Sequence, residues 1–377
     1  MNAAPPGVLF RGPVPGKTES GTAGEALAVA LGLAELGILL QLVPFGARDA
    51  HLLPPAMQDT LAALERQRVD PERSVVCQFL PGHEVSLEVY GRSRLARVMW
   101  DADKLPAGWS EVCGLLDEVW VPSEFNREVF AASGVDGQKL KVMPPGIDTR
   151  RFHPKVEPLP IPQKRGFNFL SVLEWSQRKA PDILLRAFLA EFKADEDVAL
   201  ILKAGSPPNL RVDVMPRLVA FVEREAGLPL EKAPAIIVVQ EPLPYCEMPR
   251  LYRAADAFVL PSRGEAYGRS YMEALASECP VIASRWSGQL DFLNDQNSYF
   301  VECKTVPVPA DVDVELYAGR HWAEPDVEQL RHLLRHVFTH RAEARALAAR
   351  GRRDLVTGWD WDVVLPRWSA EFERLLA

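Results

Sequence analysis

The sequence lacks most features that mark a membrane, secreted or nucleic-acid-binding protein. No apolar stretch reaches membrane-spanning length, and the longest, through residues 26–42, is broken by glycine, glutamate and glutamine. No basic region precedes an apolar run near Met1, as a secretory signal requires, so a cytoplasmic location is expected. Cysteine is scarce. The five present, Cys77, Cys113, Cys246, Cys279 and Cys303, are odd in number, widely spaced and never arranged Cys-x-x-Cys, which predicts reduced, mostly buried thiols. Positive charge is in deficit, 43 Lys and Arg against 51 Asp and Glu, for a formal net charge of −8. That excludes a general polyanion binder, so no nucleic-acid partner is expected and any phosphate contact must be local. Nothing repeats at short period and no tract is of low complexity.

At 377 residues the chain exceeds what one core usually organises, which predicts two domains. Short apolar strands at residues 8–10, 38–44, 75–80, 95–100, 118–121 and 140–143 alternate with helical patterns such as 22–36 and 123–132. Such alternation predicts a parallel sheet covered by helices on both faces, an α/β fold. Pro154, Pro158, Pro160 and Pro162 then crowd one charged stretch, which reads as a connector. The rhythm restarts with strands at 167–173, 198–203, 236–239, 257–260 and 281–283, and with a helix at 180–192. The expected domains are therefore residues 1–150 and 151–361. A final helix, 362–377, carries Val363, Val364, Trp368, Phe372 and Leu375 on one stripe that must dock against something.

The most informative stretch is PSRGEAYGRSYMEALA, residues 261–276, between a strand and a helix. Glu265 and Glu273 stand seven residues apart. Gly264 and Gly268 leave the loop with little bulk, so its backbone N–H groups can approach a ligand, and the helix start adds positive potential. Glu265 suits sugar hydroxyls, and Glu273, about two turns into the helix, suits a ribose diol. Ala266, Tyr267, Gly268 and Arg269 complete the candidate donor contacts. From spacing alone, two solvated glutamates near a helix start explain the pattern equally well. A second segment, FLSVLEWSQRKAPDILLRAF, sets Arg178 and Lys179 between a strand and a helix, where they are either a phosphate-neutralising pair or a solvated loop pair.

These segments resemble glycosyltransferase family 4, whose donor motif is a Glu, seven residues and a Glu, after Pro-Ser and before an apolar helix. The likeness continues through CPVIASRWSGQLDFL (279–293), VWVPSEFNREVFAASGV (119–135) and MPPGIDTRRFHP (143–154), in the family's order and over most of the chain. It implies the GT-B arrangement: two Rossmann-like domains facing across a cleft, the N-terminal one for the acceptor and the C-terminal one for the donor, with the last helix returning to the N-terminal domain. It implies that Lys179 contacts the donor diphosphate and stabilises charge on the leaving group. An arginine commonly assists there, but the matching position holds Glu174, and Arg178 is the substitute this chain offers.

Other candidates divide between chemistry and local structure. The stretch GPVPGKTESGTAG, with Gly16, Lys17 and Thr18, fails as a phosphate-binding loop, because only three residues separate Gly12 from Gly16 and two are proline. The resemblance assigns Ser20, Gly21 and Thr22 to the N-domain wall of the donor phosphate site; a plain helix cap accounts for them as well. His83 and Asp101 follow predicted strands, where ligands gather. Many family members have a histidine where this chain has Trp100 and Asp101, and Asp101 with Asp103 either meets an acceptor or caps a turn. His332, His336 and His340 recur every four residues but lack evident partner ligands, so no metal is expected.

The expected function is a retaining, metal-independent glycosyltransferase. It would move a hexose-type sugar from a UDP- or GDP-linked donor to a hydroxyl acceptor, saccharide or other glycan precursor, with no cofactor. The resemblance implies that the leaving diphosphate takes the acceptor's proton. The rivals are another GT-B activity, phosphorylase or epimerase, or a silent nucleotide-sugar binding module. The composition predicts no integral membrane segment and is compatible with peripheral membrane contact.

Overall fold

The computed structural model describes residues 4–14, 21–46, 53–206, 212–244 and 246–377. The chain divides into two compact units, one formed by Met1–Asp148, Glu315–Tyr317 and Thr357–Ala377, the other by Thr149–Val314 and Ala318–Val356. No helix among the described residues is long and apolar enough to cross a membrane.

In the first unit, the elements run β1 (Val8–Pro13), α1 (Gly21–Glu35), β2 (Leu40–Phe45), α2 (Pro55–Arg66), β3 (Val75–Phe79), β4 (Ser93–Arg97), α3 (Trp109–Gly114), β5 (Glu118–Val121), α4 (Glu124–Ala132) and β6 (Leu140–Val142). The strands make one six-stranded sheet in the order β2-β1-β3-β4-β5-β6, every pair parallel. Helices cover both faces of such a sheet, so a strand in its middle is shielded from water on both sides. Accordingly all five residues of β3 are buried.

The second unit continues with β7 (Phe167–Glu174), α5 (Pro181–Glu191), β8 (Val198–Gly205), α6 (Val214–Ala226), β9 (Ala235–Val239), α7 (Glu247–Arg253), β10 (Ala257–Leu260), α8 (Arg269–Ala276), β11 (Val281–Ser284) and β12 (Tyr299–Val301). Its six-stranded sheet, β12-β11-β10-β7-β8-β9, is also parallel. An antiparallel hairpin of β13 (Cys303–Pro307) and β14 (His321–Pro325) follows, with the short α9 (Val314–Tyr317) between its strands. Sequence periodicity does not pick out this hairpin, because β13 is largely exposed and lacks a continuous apolar run. Helices α10 (Val327–Thr339) and α11 (Arg341–Gly358) close the unit.

The last helix, α12 (Trp361–Leu376), belongs to the first unit, where its apolar stripe packs. Val364, Trp368 and Phe372 are fully buried. Trp368 packs on Phe79 at 5.8 Å and on Trp120 at 5.4 Å, while Phe372 meets Trp120 at 4.9 Å. Its indole N–H donates to the Pro144 carbonyl at 3.1 Å. Leu365 packs directly on Gly32 of α1, and a Cβ there, 2.2 Å from Leu365 Cδ1, would make that side chain shift. Beneath the helix, Arg97 and Glu25 form a buried ion pair at 2.6 Å, with the guanidinium 5.7 Å from the Trp368 ring.

Candidate functional site

In the second sheet β7 lies between β8 and β10, so the direction of winding reverses there. Doubly wound sheets bind ligands beyond the carboxyl ends of the strands that flank such a reversal. The loops leaving β7 and β10 are residues 175–180 and 261–268, the two segments singled out by their residues. The fold thus brings together side chains 86 positions apart in sequence: Lys179 Nζ donates to Glu265 Oε1 at 2.5 Å.

The first loop is held tightly by its own backbone. Trp175 N–H donates to the Gly205 carbonyl at 2.8 Å, and Ala180 N–H donates to the Gln177 carbonyl at 3.1 Å. Ala180 is buried at φ 51°, a left-handed conformation that costs a non-glycine residue about 1 kcal/mol and directs the chain into Pro181 at the start of α5. Arg178 reaches the other loop, donating from Nη1 to the Gly264 carbonyl at 2.9 Å, and from Nη2 to Glu174 Oε1 at 2.6 Å.

Glu265 is 6% exposed, and its backbone is fixed by the turn after β11. Its N–H donates to Ser287 Oγ at 3.2 Å and its carbonyl accepts from Gly288 N–H at 3.1 Å. Ser287 adopts φ 72°, strain of the kind that persists only where the surroundings impose it. Gly288 has no alternative, because a Cβ would stand 2.0 Å from the Ala266 carbonyl oxygen.

Arg263 is the residue that sequence reasoning missed. Its guanidinium donates to the Gln177 carbonyl at 2.7 Å, to both oxygens of Asp182 at 2.9 and 2.8 Å, and to Glu324 at 2.5 and 3.1 Å. Its backbone N–H donates to the Arg178 carbonyl at 2.7 Å and its carbonyl accepts from Ala323 N–H at 2.9 Å. One side chain therefore ties the 175–180 loop, the start of α5 and β14 to the 261–268 loop. Burial opposes its charge, but the hydrogen bonds and charges of Asp182 and Glu324 outweigh that and raise its pKa. The available signal was an arginine inside a loop of small residues; its partners lie 81 and 61 positions away.

Helix α8 begins at Arg269, so Glu273 sits just over one turn in, nearer the loop than the two turns expected. Gly268 supplies φ 92° at the N-cap. Glu273 is 6% exposed, accepting from Tyr252 Oη at 2.9 Å and pairing with Arg269 at 2.9 Å. Burial first and the Glu273 charge second raise the Tyr252 pKa, so it remains a donor. Tyr267 packs its ring on Phe292 at 5.2 Å. Ala266 and Gly268 offer backbone only.

In the first unit, the sheet reverses at β1 and β3, and His83 follows β3. Its side chain is half-exposed, 4.0 Å from Glu84, with its ring 5.9 Å from that of Trp109. Asp101 follows β4 and accepts from Tyr317 Oη at 2.7 Å, while Trp100 packs on Tyr317 at 4.9 Å and on Trp109 at 5.2 Å. The loop is pinned by Asn126, which exchanges two hydrogen bonds with the Trp100 backbone at 2.7 and 2.9 Å; Ser123 caps the same helix. Gly21 and Thr22 open α1, whereas Gly16, Lys17, Thr18 and Ser20 lie outside the described residues.

The remaining candidates are placed as follows. His336 Nε2 donates to Glu343 Oε1 at 3.0 Å and its ring stacks on His340 at 4.2 Å, and His332 lies beside Arg331. Among the described residues no group of three or more His, Cys, Asp or Glu side chains is arranged to hold a metal ion. The hairpin does carry an Asp-x-Asp that the reading of the sequence passed over, Asp311 and Asp313, and Asp311 accepts from Gln177 Nε2 at 3.0 Å. Cys77, Cys113 and Cys279 are buried and Cys246 is exposed; burial pushes the Cys113 thiol up to about 12, which removes it as a nucleophile.

Residues 164–312 match the family described as glycosyl transferases group 1. The chain is 26% identical over 295 residues to a GDP-mannose-dependent alpha-(1-6)-phosphatidylinositol monomannoside mannosyltransferase of Mycolicibacterium smegmatis, covering 74% of this chain and 65% of that protein. It is 29% identical over 177 residues to a D-inositol 3-phosphate glycosyltransferase of Salinispora arenicola, covering 43% of this chain and 38% of that protein. The match thus spans less than two thirds of either relative's length. A solved structure of Anabaena Alr3699/HepE in complex with UDP and glucose is similar with a TM-score of 0.66 and 12% identity, over 97% of this chain and 99% of that one. The fold is that of the GT-B glycosyltransferases.

Proposed function

We propose that this chain is a retaining glycosyltransferase, transferring a hexose-type sugar from a UDP- or GDP-linked donor to a hydroxyl acceptor without a metal ion. The observation that carries the reading is the part-buried contact of Lys179 with Glu265 at the switch point between β7 and β10. Neither residue is needed there by the sheet. Together they place a cation for a diphosphate beside a carboxylate for sugar hydroxyls. The group 1 match and the nucleotide-sugar relatives support this chemistry.

Lys179 and Arg178 stabilise the diphosphate as the bond between its oxygen and the anomeric carbon breaks. The acceptor oxygen bonds to that carbon on the same face, and its proton passes to the departing phosphate oxygen. Glu265 orients the sugar, and Glu273, preset by Tyr252 and Arg269, holds the ribose diol. The 1–150 segment with the 362–377 helix supplies the acceptor region, in which Asp101 and His83 meet the hydroxyl-bearing substrate. Residues 151–361 form the donor domain.

Thermal shift and calorimetry with UDP, GDP and a panel of their sugar conjugates test the donor assignment, and ligand binding should raise the melting temperature. No shift and no heat with any of them rejects it. Transfer should continue in excess EDTA. Loss of turnover on chelation, restored by manganese or magnesium, assigns a metal instead, with Asp311 and Asp313 the first ligands to replace.

A further inference from the structure

The cations proposed for the diphosphate do not await it uncompensated. Arg178 is paired with Glu174 at 2.6 Å and Lys179 with Glu265 at 2.5 Å, so two positive and two negative side chains meet at the ends of β7 and β10. Burial works against the charge on Glu174, but Arg178 and Lys179 outweigh it and hold its carboxyl below the usual range. The two carboxylates differ in freedom. The Glu265 side chain is 8% exposed and its backbone is hydrogen-bonded at both ends, whereas the Glu174 side chain is 27% exposed. Apart from Arg178, Glu174 Oε1 accepts only a long 3.4 Å bond from Ser176 Oγ among the described residues.

Resting on the donor reading above, we infer that Glu174 is a resident counter-ion which the donor diphosphate must displace from Arg178, and which retakes Arg178 as the nucleoside diphosphate leaves. The carboxylate stands in for phosphate before the donor binds, keeping the guanidinium extended toward the Gly264 carbonyl. When the diphosphate arrives, Glu174 has water to turn to and Glu265 does not, so the exchange takes place at Arg178. No bond to carbon is involved; one charge-assisted hydrogen-bonded pair is traded for another. The consequence is specific. Glu174 weakens the hold on the leaving nucleoside diphosphate and so favours its release.

The test is Glu174→Gln, which keeps the shape and removes the charge, with UDP and GDP as probes in calorimetry. The variant should bind whichever diphosphate the parent binds about tenfold more tightly, the expected scale for removing one partly exposed carboxylate beside a polyanion. In turnover, kcat should fall while the KM for donor also falls, because product release slows. The gain should disappear in Arg178→Gln/Glu174→Gln measured against Arg178→Gln alone. A purely structural salt bridge would give the opposite sign. Parental or weaker affinity in a folded Glu174→Gln overturns the counter-ion role and leaves the donor site standing. Absence of binding to both parent and variant overturns the donor site and, with it, this role.

Discussion

At the carboxyl edge of the second sheet every proposed ligand-binding cation is paired: Arg178 with Glu174, Lys179 with Glu265, Arg269 with Glu273, and Arg263 behind them with Asp182 and Glu324. The corresponding edge of the first sheet is built from Trp100, Trp109 and Tyr317, with Asp101 held by a tyrosine hydroxyl and His83 half-exposed. The first kind of edge is stiff and electrostatically preloaded. A ligand of high charge density can exchange partners within it without the site having to reorganise. The second kind offers shape and a few hydrogen bonds, which suits a neutral, hydroxyl-bearing molecule. Donor and acceptor selection in the proposed reaction are thus controlled by different forces, and salt should weaken donor binding far more than acceptor binding.

The largest test of this contrast is Lys179→Ala. Turnover should fall by about a hundredfold or more, the scale of losing one preorganised donor to developing negative charge, while UDP or GDP affinity falls less. Near-parental kcat, measured after circular dichroism confirms the fold, would take the leaving-group role from this edge. Glu265→Gln should lower transfer by about tenfold to a hundredfold, by loss of charge-assisted hydrogen bonds to the sugar, with the affinity for free nucleoside diphosphate nearly unchanged. Equal loss of both would make the loop a phosphate site only.

Arg263→Met sharpens the comparison, because it removes the clamp and leaves the proposed contact residues in place. Removing one partner of a buried ion pair costs about 3–5 kcal/mol, but Asp182 and Glu324 side chains are 30% and 38% exposed and can rehydrate, which brings the loss to about 2 kcal/mol. The melting temperature should drop by about 4–8 °C, and kcat should fall more than the KM for donor rises, with partial recovery in Arg263→Lys. Unchanged stability would show that the clamp is not what orders the two loops. Asp101→Asn is the smallest effect: the KM for acceptor should rise a few-fold and nucleoside diphosphate affinity stay parental. A change in donor affinity would mean that the two edges are not separable in this way.

Much of this was legible from residues alone, for identifiable reasons. Strands of a parallel sheet are buried on both faces, so residues 118–121 and 257–260 stand out as short apolar runs, and the observed β5 and β10 have those bounds. The Glu265 and Lys179 loops were visible because each sets charged residues between an apolar strand and a helix, in segments that resemble a known donor motif. What local pattern cannot carry is pairing at a distance. Nothing near Arg263 announces Asp182 or Glu324, nothing near Glu273 announces Tyr252, and Glu174 reads only as a departure until Arg178 is seen to fold back on it. The hairpin β13–β14 was missed because β13 is too exposed to leave an apolar rhythm.

Helix α12 follows the second unit in sequence yet completes the core of the first, through Trp368 and Phe372 against Phe79 and Trp120. On a ribosome this becomes a matter of timing. The strands that carry Phe79 and Trp120 emerge well before residues 361–376, and at about 5–20 residues per second the wait is on the order of ten to fifty seconds. Through that interval an apolar groove in the first unit stands open to water. Whatever covers it then, a chaperone or a neighbouring nascent chain, competes with the helix that is still to be made.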